Sequence, residues 1–358
     1  MTSPSLLVRA ARSEPVEHTP VWFMRQAGRV LPGYRSLRER WSLIDISRQP
    51  ELALTVSLEP VRRMPLDAAI LFADIMTPLI AVGLPITIVD GVGPVIAEPI
   101  RAIDGVGALR PLEPEADVPF VLETLRMLRA ELSPRRAVIG FAGAPFTLAA
   151  YLIEGRASRD YVRTKTLMYG EPAVWDELMS RLTEITTRYL LAQIRAGADV
   201  VQLFDSWIGA LGPADYEVYA RPYVRRIFSA VASTGTPTIH FGAGTATLLE
   251  QMRDDGASVI GIDWRTPLDR AWDRLGSGLA VQGNLDPTVL FAPPALMEAK
   301  ALDVLERAGA RPGHVFNLGH GLLPGTPLDN VIRLVDFVHE ASATIRNGPA
   351  APMAAATR

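Results

Sequence analysis

The chain has no cysteine at all. That absence excludes disulfides, thiolate nucleophiles, iron–sulfur clusters and every zinc site built on sulfur. Lysine is nearly missing: Lys165 and Lys300 are the only two, both in segments of helical character, so a Schiff-base mechanism has two poor candidates. No apolar run approaches the roughly 20 residues that cross a bilayer. The first twenty positions hold only the short apolar stretch Leu6-Leu7-Val8, with no secretory apolar core, so a cytoplasmic location and no membrane partner are expected. The net charge of -3 argues against a general nucleic-acid binder while leaving room for a local basic pocket. Gly242-Ala243-Gly244 lacks the third glycine of a dinucleotide fingerprint.

What is present is a long chain, 358 residues, 48% of them hydrophobic, with positive charge carried almost wholly by arginine. Arginine stays protonated and pairs with carboxylates through a planar fork. Short apolar, β-branched runs recur between helical patterns: Val21-Trp22-Phe23, Ala68 to Phe72, Ala137 to Phe141, Val200 to Phe204, Thr238 to Phe241, Val259 to Ile262, Leu279 to Val281 and Val315-Phe316. Eight buried strands alternating with helices predict parallel βα units that close into a single (β/α)8 TIM-type barrel of the α/β class. A doubly wound open sheet is the alternative pattern. Gly197-Ala198-Asp199-Val200-Val201 echoes Gly256-Ala257-Ser258-Val259-Ile260, each glycine ending a helix before a strand.

Two segments read as decoration. Leu84 to Ile96 alternates around Asp90-Gly91 and predicts a β-hairpin insertion. Residues 26–66 read as helices interrupted at Pro32, Pro50, Pro60 and Pro65, wrapping the barrel. No linker divides the chain, so one domain over residues 1–358 is expected, with an N-terminal extension at 1–19 and a small-residue tail at 347–358 expected to be disordered.

Polar and glycine residues cluster directly after the apolar runs, where barrel enzymes place their active sites. Polar, glycine-rich turns are also common without function. Arg25 and Arg29, four apart in Arg25-Gln26-Ala27-Gly28-Arg29, lie on one face of a helical turn if the segment is helical, and forked hydrogen bonds from both suit carboxylates. A solvated arginine pair is the other outcome of that spacing. Asp74 ends the apolar run Leu71-Phe72-Ala73 and either caps the following helix or faces a substrate cation in a dry pocket. His320, between two glycines, is either structural or a ligand-facing donor active near neutral pH. Tyr151 sits one turn into the helix after Pro145, a position that also suits core packing, and Ser206 has no hydrolase-type His/Asp companion.

Six segments together resemble the uroporphyrinogen decarboxylase family. They are Pro20 to Arg29, Phe72-Ala73-Asp74-Ile75, Gly140 to Thr147, Gln202-Leu203-Phe204-Asp205-Ser206, Gln282 to Pro287 and Asn317-Leu318-Gly319-His320-Gly321. The resemblance implies a (β/α)8 barrel and a homodimer. It implies decarboxylation of the four acetates of uroporphyrinogen III to give coproporphyrinogen III, without metal or organic cofactor. It also implies a substrate-binding set of Arg25, Gln26, Ala27, Gly28, Arg29, Asp74, Tyr151, Phe204, Ser206 and His320, with Asp74 and Arg25 catalytic. In that set the arginines, Tyr151, Ser206 and His320 meet carboxylates, Asp74 meets the central pyrrole N–H groups, and Phe204 packs on the macrocycle. Trp207 stands where some relatives have histidine, and Phe146 where others have tryptophan. The alternatives are a related barrel methyltransferase, whose thiol-activating zinc sites use cysteine, and a non-catalytic tetrapyrrole binder.

Overall fold

Ala68–Ile70 (β1) is three residues long and wholly buried, and it pairs in parallel with Ala137–Gly143 (β4), buried at all seven positions. Apolar runs without alternation form strands here because both faces of a parallel sheet are covered. The computed structural model describes residues 4–28 and 30–347. From β4 the sheet continues, always in parallel, through Val200–Asp205 (β5), Thr238–Gly242 (β6), Val259–Gly261 (β7), Ala280–Gln282 (β8) and His314–Val315 (β9). These are seven strands in the order β1-β4-β5-β6-β7-β8-β9, with helices between them.

The first apolar run closes the ring without forming a full strand. Val21 makes a parallel bridge to Phe316, just beyond β9, and the Phe316 N–H donates to the Pro20 carbonyl at 2.9 Å. On its other side Val21 accepts from the Asp67 N–H at 3.0 Å, while its own N–H donates to the Asp67 carboxylate at 2.7 Å. The expected eighth strand is therefore a bridged extended segment, short because the chain turns away at Met24. Inside the ring, the Trp22 indole donates to Gln282, whose amide donates to Gln202, at 2.9 and 3.0 Å. Gln202 thus faces inward, and the period of two along β5 turns Phe204 inward as well, nearer the strand's C-terminal end.

The predicted hairpin forms from Ile86–Val89 (β2) and Gly93–Ile96 (β3), with Gly91 at φ +76° in the turn. It braces the helix Pro145–Glu154: Ile96 N–H donates to the Gly155 carbonyl at 2.8 Å and Ile100 N–H to that of Leu152 at 2.9 Å. The segment after Met24 forms the helices Pro32–Arg38, Leu43–Ser47 and Pro50–Arg63. Pro32 and Pro50 start helices, where a missing N–H costs nothing. Pro60 corrects the expectation of a break: it lies inside the last of these helices. In the N-terminal extension Leu6–Ala11 is helical, capped by the Ser5 side chain. The expected tail lies outside the described residues except for Asn347, which ends the helix Leu328–Asn347. Among the described residues no helix is long and apolar enough to cross a membrane.

Candidate active site

The first loop is not a helical turn. Arg25 has φ +66°, in the left-handed region, and Gly28 has φ +121°. The expectation that Arg25 and Arg29 share a helix face is therefore corrected at Arg25, and Arg29 lies outside the described residues. A bulky residue at positive φ needs its surroundings to hold it. The neighbours do so. The fully buried Gln26 accepts from the Phe23 N–H at 2.9 Å and donates to the Ala68 carbonyl at 2.8 Å, fastening the loop to β1. Met24 N–H donates to the Asn317 side chain at 3.3 Å, and Leu322 N–H to the Met24 carbonyl at 2.9 Å. Gly28 is needed for space as well as for its dihedral angle, since an added Cβ would sit 3.3 Å from the Tyr34 ring.

These ties lay the Arg25 side chain across Gly321. A Cβ on that glycine would fall 2.6 Å from Arg25 Cδ and 3.1 Å from Nε. The first and last strand ends are thereby joined at one point, with His320 beside it. His320 accepts from the Gly321 N–H at 2.8 Å through Nδ1, and its ring meets Phe241 and Trp264 edge-on at 6.2 and 6.3 Å. Gly319 must be glycine because Trp264 N lies 2.2 Å from where its Cβ would be. Arg25 is solvent-exposed, yet neighbouring protein displaces part of the water around its guanidinium. The lost hydration there lowers its pKa, and Tyr151 and Asp74 oppose the shift.

Asp74 takes the helix-ordering role open to it from the sequence. Its Oδ1 accepts from the Met76 N–H at 2.8 Å, and its N–H donates to Thr77 Oγ1 at 3.2 Å, ordering the start of the helix Thr77–Ala81. The same carboxyl is half-buried, and its pKa is raised. Burial drives it up, while the Met76 N–H and the Arg25 charge hold it down. Its charge is felt by the hydroxyls of Tyr151 and Tyr189. Tyr189 comes from the helix Pro172–Arg195, is fully buried and finds no partner for its hydroxyl among the described residues.

Tyr151 projects from the helix that the hairpin braces. Its ring stacks on Trp207 with centroids 3.8 Å apart at 34°, and Trp207 also meets Tyr161 at 5.4 Å. Burial raises the Tyr151 pKa first, and Asp74 adds to it, so the phenol stays protonated as a donor. Tyr161, itself at φ +53°, is pushed up to about 12 by burial and Glu154. The end of β5 is locked by Thr147, whose hydroxyl donates to the buried Asp205 at 2.8 Å and accepts from the Trp207 N–H at 3.3 Å. That lock presents half-buried Ser206 at the strand end. Phe204 stands edge-on to Phe141 and Phe241 at 5.5 and 6.3 Å.

Arg25, Asp74 and Tyr151 therefore act on one another electrostatically. Arg25 packs on the Gly321 loop, and His320 shares Phe241 with Phe204. Gln26 and Gly28 hold the first loop, and Ala27 is half-buried between them. Trp207, Tyr161, Tyr189, Thr147 and Trp264 were not legible as site residues, because aromatic and threonine residues near strand ends carry no pattern distinct from core. Only the first strand-end position after each apolar run could have marked Trp264, which follows Asp263.

A ring of parallel strands with a cation, a half-buried carboxyl and phenolic donors gathered at its C-terminal rim defines a barrel enzyme of the TIM type. A sequence model of the family described as "Uroporphyrinogen decarboxylase (URO-D)" matches residues 2–341. The chain is 53% identical over 332 residues to a uroporphyrinogen decarboxylase of Sorangium cellulosum, covering 93% of this chain and 95% of that protein. It is 53% identical over 338 residues to one of Thermus thermophilus, covering 94% and 98%. Among solved structures, a methyltransferase from Methanosarcina mazei superposes with a TM-score of 0.79 at 22% identity, covering 94% of this chain and 99% of that one, a likeness of fold. The chain belongs to the uroporphyrinogen decarboxylase family.

Proposed function

We propose that this chain converts uroporphyrinogen III to coproporphyrinogen III by removing carbon dioxide from each of four acetate side chains. The observation that carries the reading is the meeting of Arg25, Asp74 and Tyr151 at the C-terminal rim, within a chain of this family. Loss of carbon dioxide from an acetate needs an electron sink. Protonation of the pyrrole α-carbon makes the ring cationic. The C–CO2 bond then breaks and its electron pair neutralises the ring, leaving an exocyclic methylene. A proton added to that methylene, with loss of the one on the ring carbon, restores the pyrrole and leaves a methyl group. The ring is its own sink, so the scheme requires neither metal nor organic cofactor.

In this scheme Asp74 accepts from the central pyrrole N–H groups and stabilises the cation that appears after protonation. Arg25 holds side-chain carboxylates by forked bonds, and Arg29 is assigned the same part. Tyr151, Ser206 and His320 supply further hydrogen bonds to carboxylates, and Phe204 packs on the macrocycle. Gln26, Ala27 and Gly28 shape the loop that presents Arg25. The lowered pKa of Arg25 moves it in the direction an acid needs, although an arginine remains a weak donor. The reading includes one catalytic unit formed by the chain, a homodimer, and work in the cytoplasm.

The methyltransferase alternative rests on likeness of fold, and the family's thiol-activating site would need cysteine, which the chain lacks. A passive tetrapyrrole binder has no use for Asp74 under the pyrrole nitrogens. The deciding assay incubates chelator-treated protein with reduced uroporphyrin under anaerobic conditions and separates products by carboxylate number. Successive hepta-, hexa-, penta- and tetracarboxylates are expected. Unaltered octacarboxylate would refute the assignment.

A further inference from the structure

At the opposite end of the barrel from Asp74, three segments distant in sequence bring together His18, Asp67 and His339. His18 precedes the first apolar run, Asp67 precedes β1, and His339 lies in the last helix. Asp67 Oδ2 lies 2.9 Å from His339 Nε2, and Asp67 Oδ1 lies 3.8 Å from His18 Nε2. The three donor atoms all lie within 4.8 Å of one another. The two imidazole rings lie with centroids 4.4 Å apart and planes tilted at 55°.

We propose that His18, Asp67 and His339 form a zinc site, completed by a water, that staples the N-terminal segment and the last helix to the first strand of the barrel. Ligands about 2.0–2.1 Å from a tetrahedral zinc are about 3.3 Å apart, and the two observed separations bracket that spacing. Two imidazoles, borderline donors, favour zinc over calcium or magnesium, and zinc accepts a carboxylate beside them. The carboxylate is already oriented: the Val21 N–H donates to Asp67 Oδ2 at 2.7 Å, the kind of outer contact that fixes a metal ligand. Among the described residues Asp67 pairs with no lysine or arginine. Arg346, the basic side chain tied to this end, donates instead to Thr19 at 3.2 Å. The side chains of His18 and His339 are 29% and 19% exposed, which leaves a way in for zinc and for a water as fourth ligand.

A staple here acts on barrel closure, because Asp67 and Val21 are the residues whose backbones join the first run to β1. It takes no part in decarboxylation, so its failure leaves the proposed activity standing. The test loads chelator-treated protein with zinc chloride, dialyses it, and measures zinc per chain together with Tm. One zinc per chain is expected, with Tm about 3 °C higher at a hundredfold excess over Kd. His18→Ala and His339→Ala should each abolish both effects, whereas His320→Gln at the other end should keep them. If His339→Ala does not fold, His18→Ala decides, because its side chain is the more exposed of the two. No retained zinc, or zinc retained in both alanine variants, overturns the proposal, as does loss of zinc in His320→Gln.

Discussion

At the scale of one residue, Asp74 sets function against stability. Its carboxyl has a raised pKa, so the folded state binds a proton more tightly than the unfolded chain does. Stability from this group is therefore greatest below the ordinary aspartate range and falls as pH rises through the raised value. At neutral pH the ionised form is a cost to stability, which the proposed function accounts for. Asp74→Asn keeps an acceptor for the Met76 N–H and removes the charge. It should raise Tm at pH 7 in differential scanning calorimetry while sharply lowering turnover. An opposite charge about 4 Å away at an effective dielectric near 20 is worth about 4 kcal/mol. Confined to the transition state, that is about three decades in kcat. Binding of the product should change by no more than a few-fold. Turnover within a few-fold of the parent enzyme would remove Asp74 from the chemistry. The pH profile offers an independent check. The acid limb of kcat/KM should lie above the ordinary aspartate range, and Arg25→Ala should move it higher, since the arginine charge holds the carboxyl down. A limb that stays in place would show that the two charges do not communicate.

At the scale of elements, the working unit is a pair of loops rather than any helix or strand. The loop after the first run is fastened to β1 by Gln26 and to the last loop by Met24, and Arg25 lies across Gly321 between them. Gly321→Ala tests this contact, because the atoms nearest the new methyl belong to the flexible arginine side chain. Tm should stay within a few degrees, and kcat/KM for the octacarboxylate should fall about tenfold or more, the size of effect expected when a substrate-positioning group shifts. Gln26→Leu acts differently. It leaves the Phe23 N–H and the Ala68 carbonyl without partners, each at about 1–3 kcal/mol, so chemical denaturation should report a large loss of stability. An unchanged denaturation midpoint would mean that the loop is held elsewhere. The sequence announced these elements unevenly. Apolar runs showed where the strands lie, since burial on both faces demands such runs, and the Asp90-Gly91 turn marked the hairpin. A helical spacing for Arg25 and Arg29 was the wrong inference, because the left-handed backbone at Arg25 is imposed by tertiary contacts from β1 and residues 317–322. Trp207 and Tyr189 were equally out of reach: their relation to Tyr151 and Asp74 depends on helices distant in sequence.

At the scale of the whole molecule, the rim can hold its charges only if the ring beneath is closed, and closure rests on a short seam. Seven strands pair along their lengths, but the first run is joined through one bridge at Val21 and through Asp67. Asp67 is the chemical weak point of that seam. Burial opposes its charge, but nearby His18 and hydrogen bonds from His339 and the Val21 N–H more than offset this, so its pKa is lowered. A group of this kind contributes stability that is present above the unfolded pKa and lost as pH falls through the folded value. Hydrogen bonds to a charged group are worth about 1.5–3 kcal/mol each. Asp67→Asn, measured in chelator so that metal plays no part, should therefore be about 2–3 kcal/mol less stable at pH 7. The gap between variant and parent should narrow as pH falls below the ordinary aspartate range. Amide exchange should reveal the same loss locally, with faster exchange at Val21 and Phe316 than at β5 and β6, which pair along their length. A stability gap independent of pH would assign the effect to packing. In that case the seam would be held by the apolar contacts of Val21 and Trp22 rather than by the Asp67 charge.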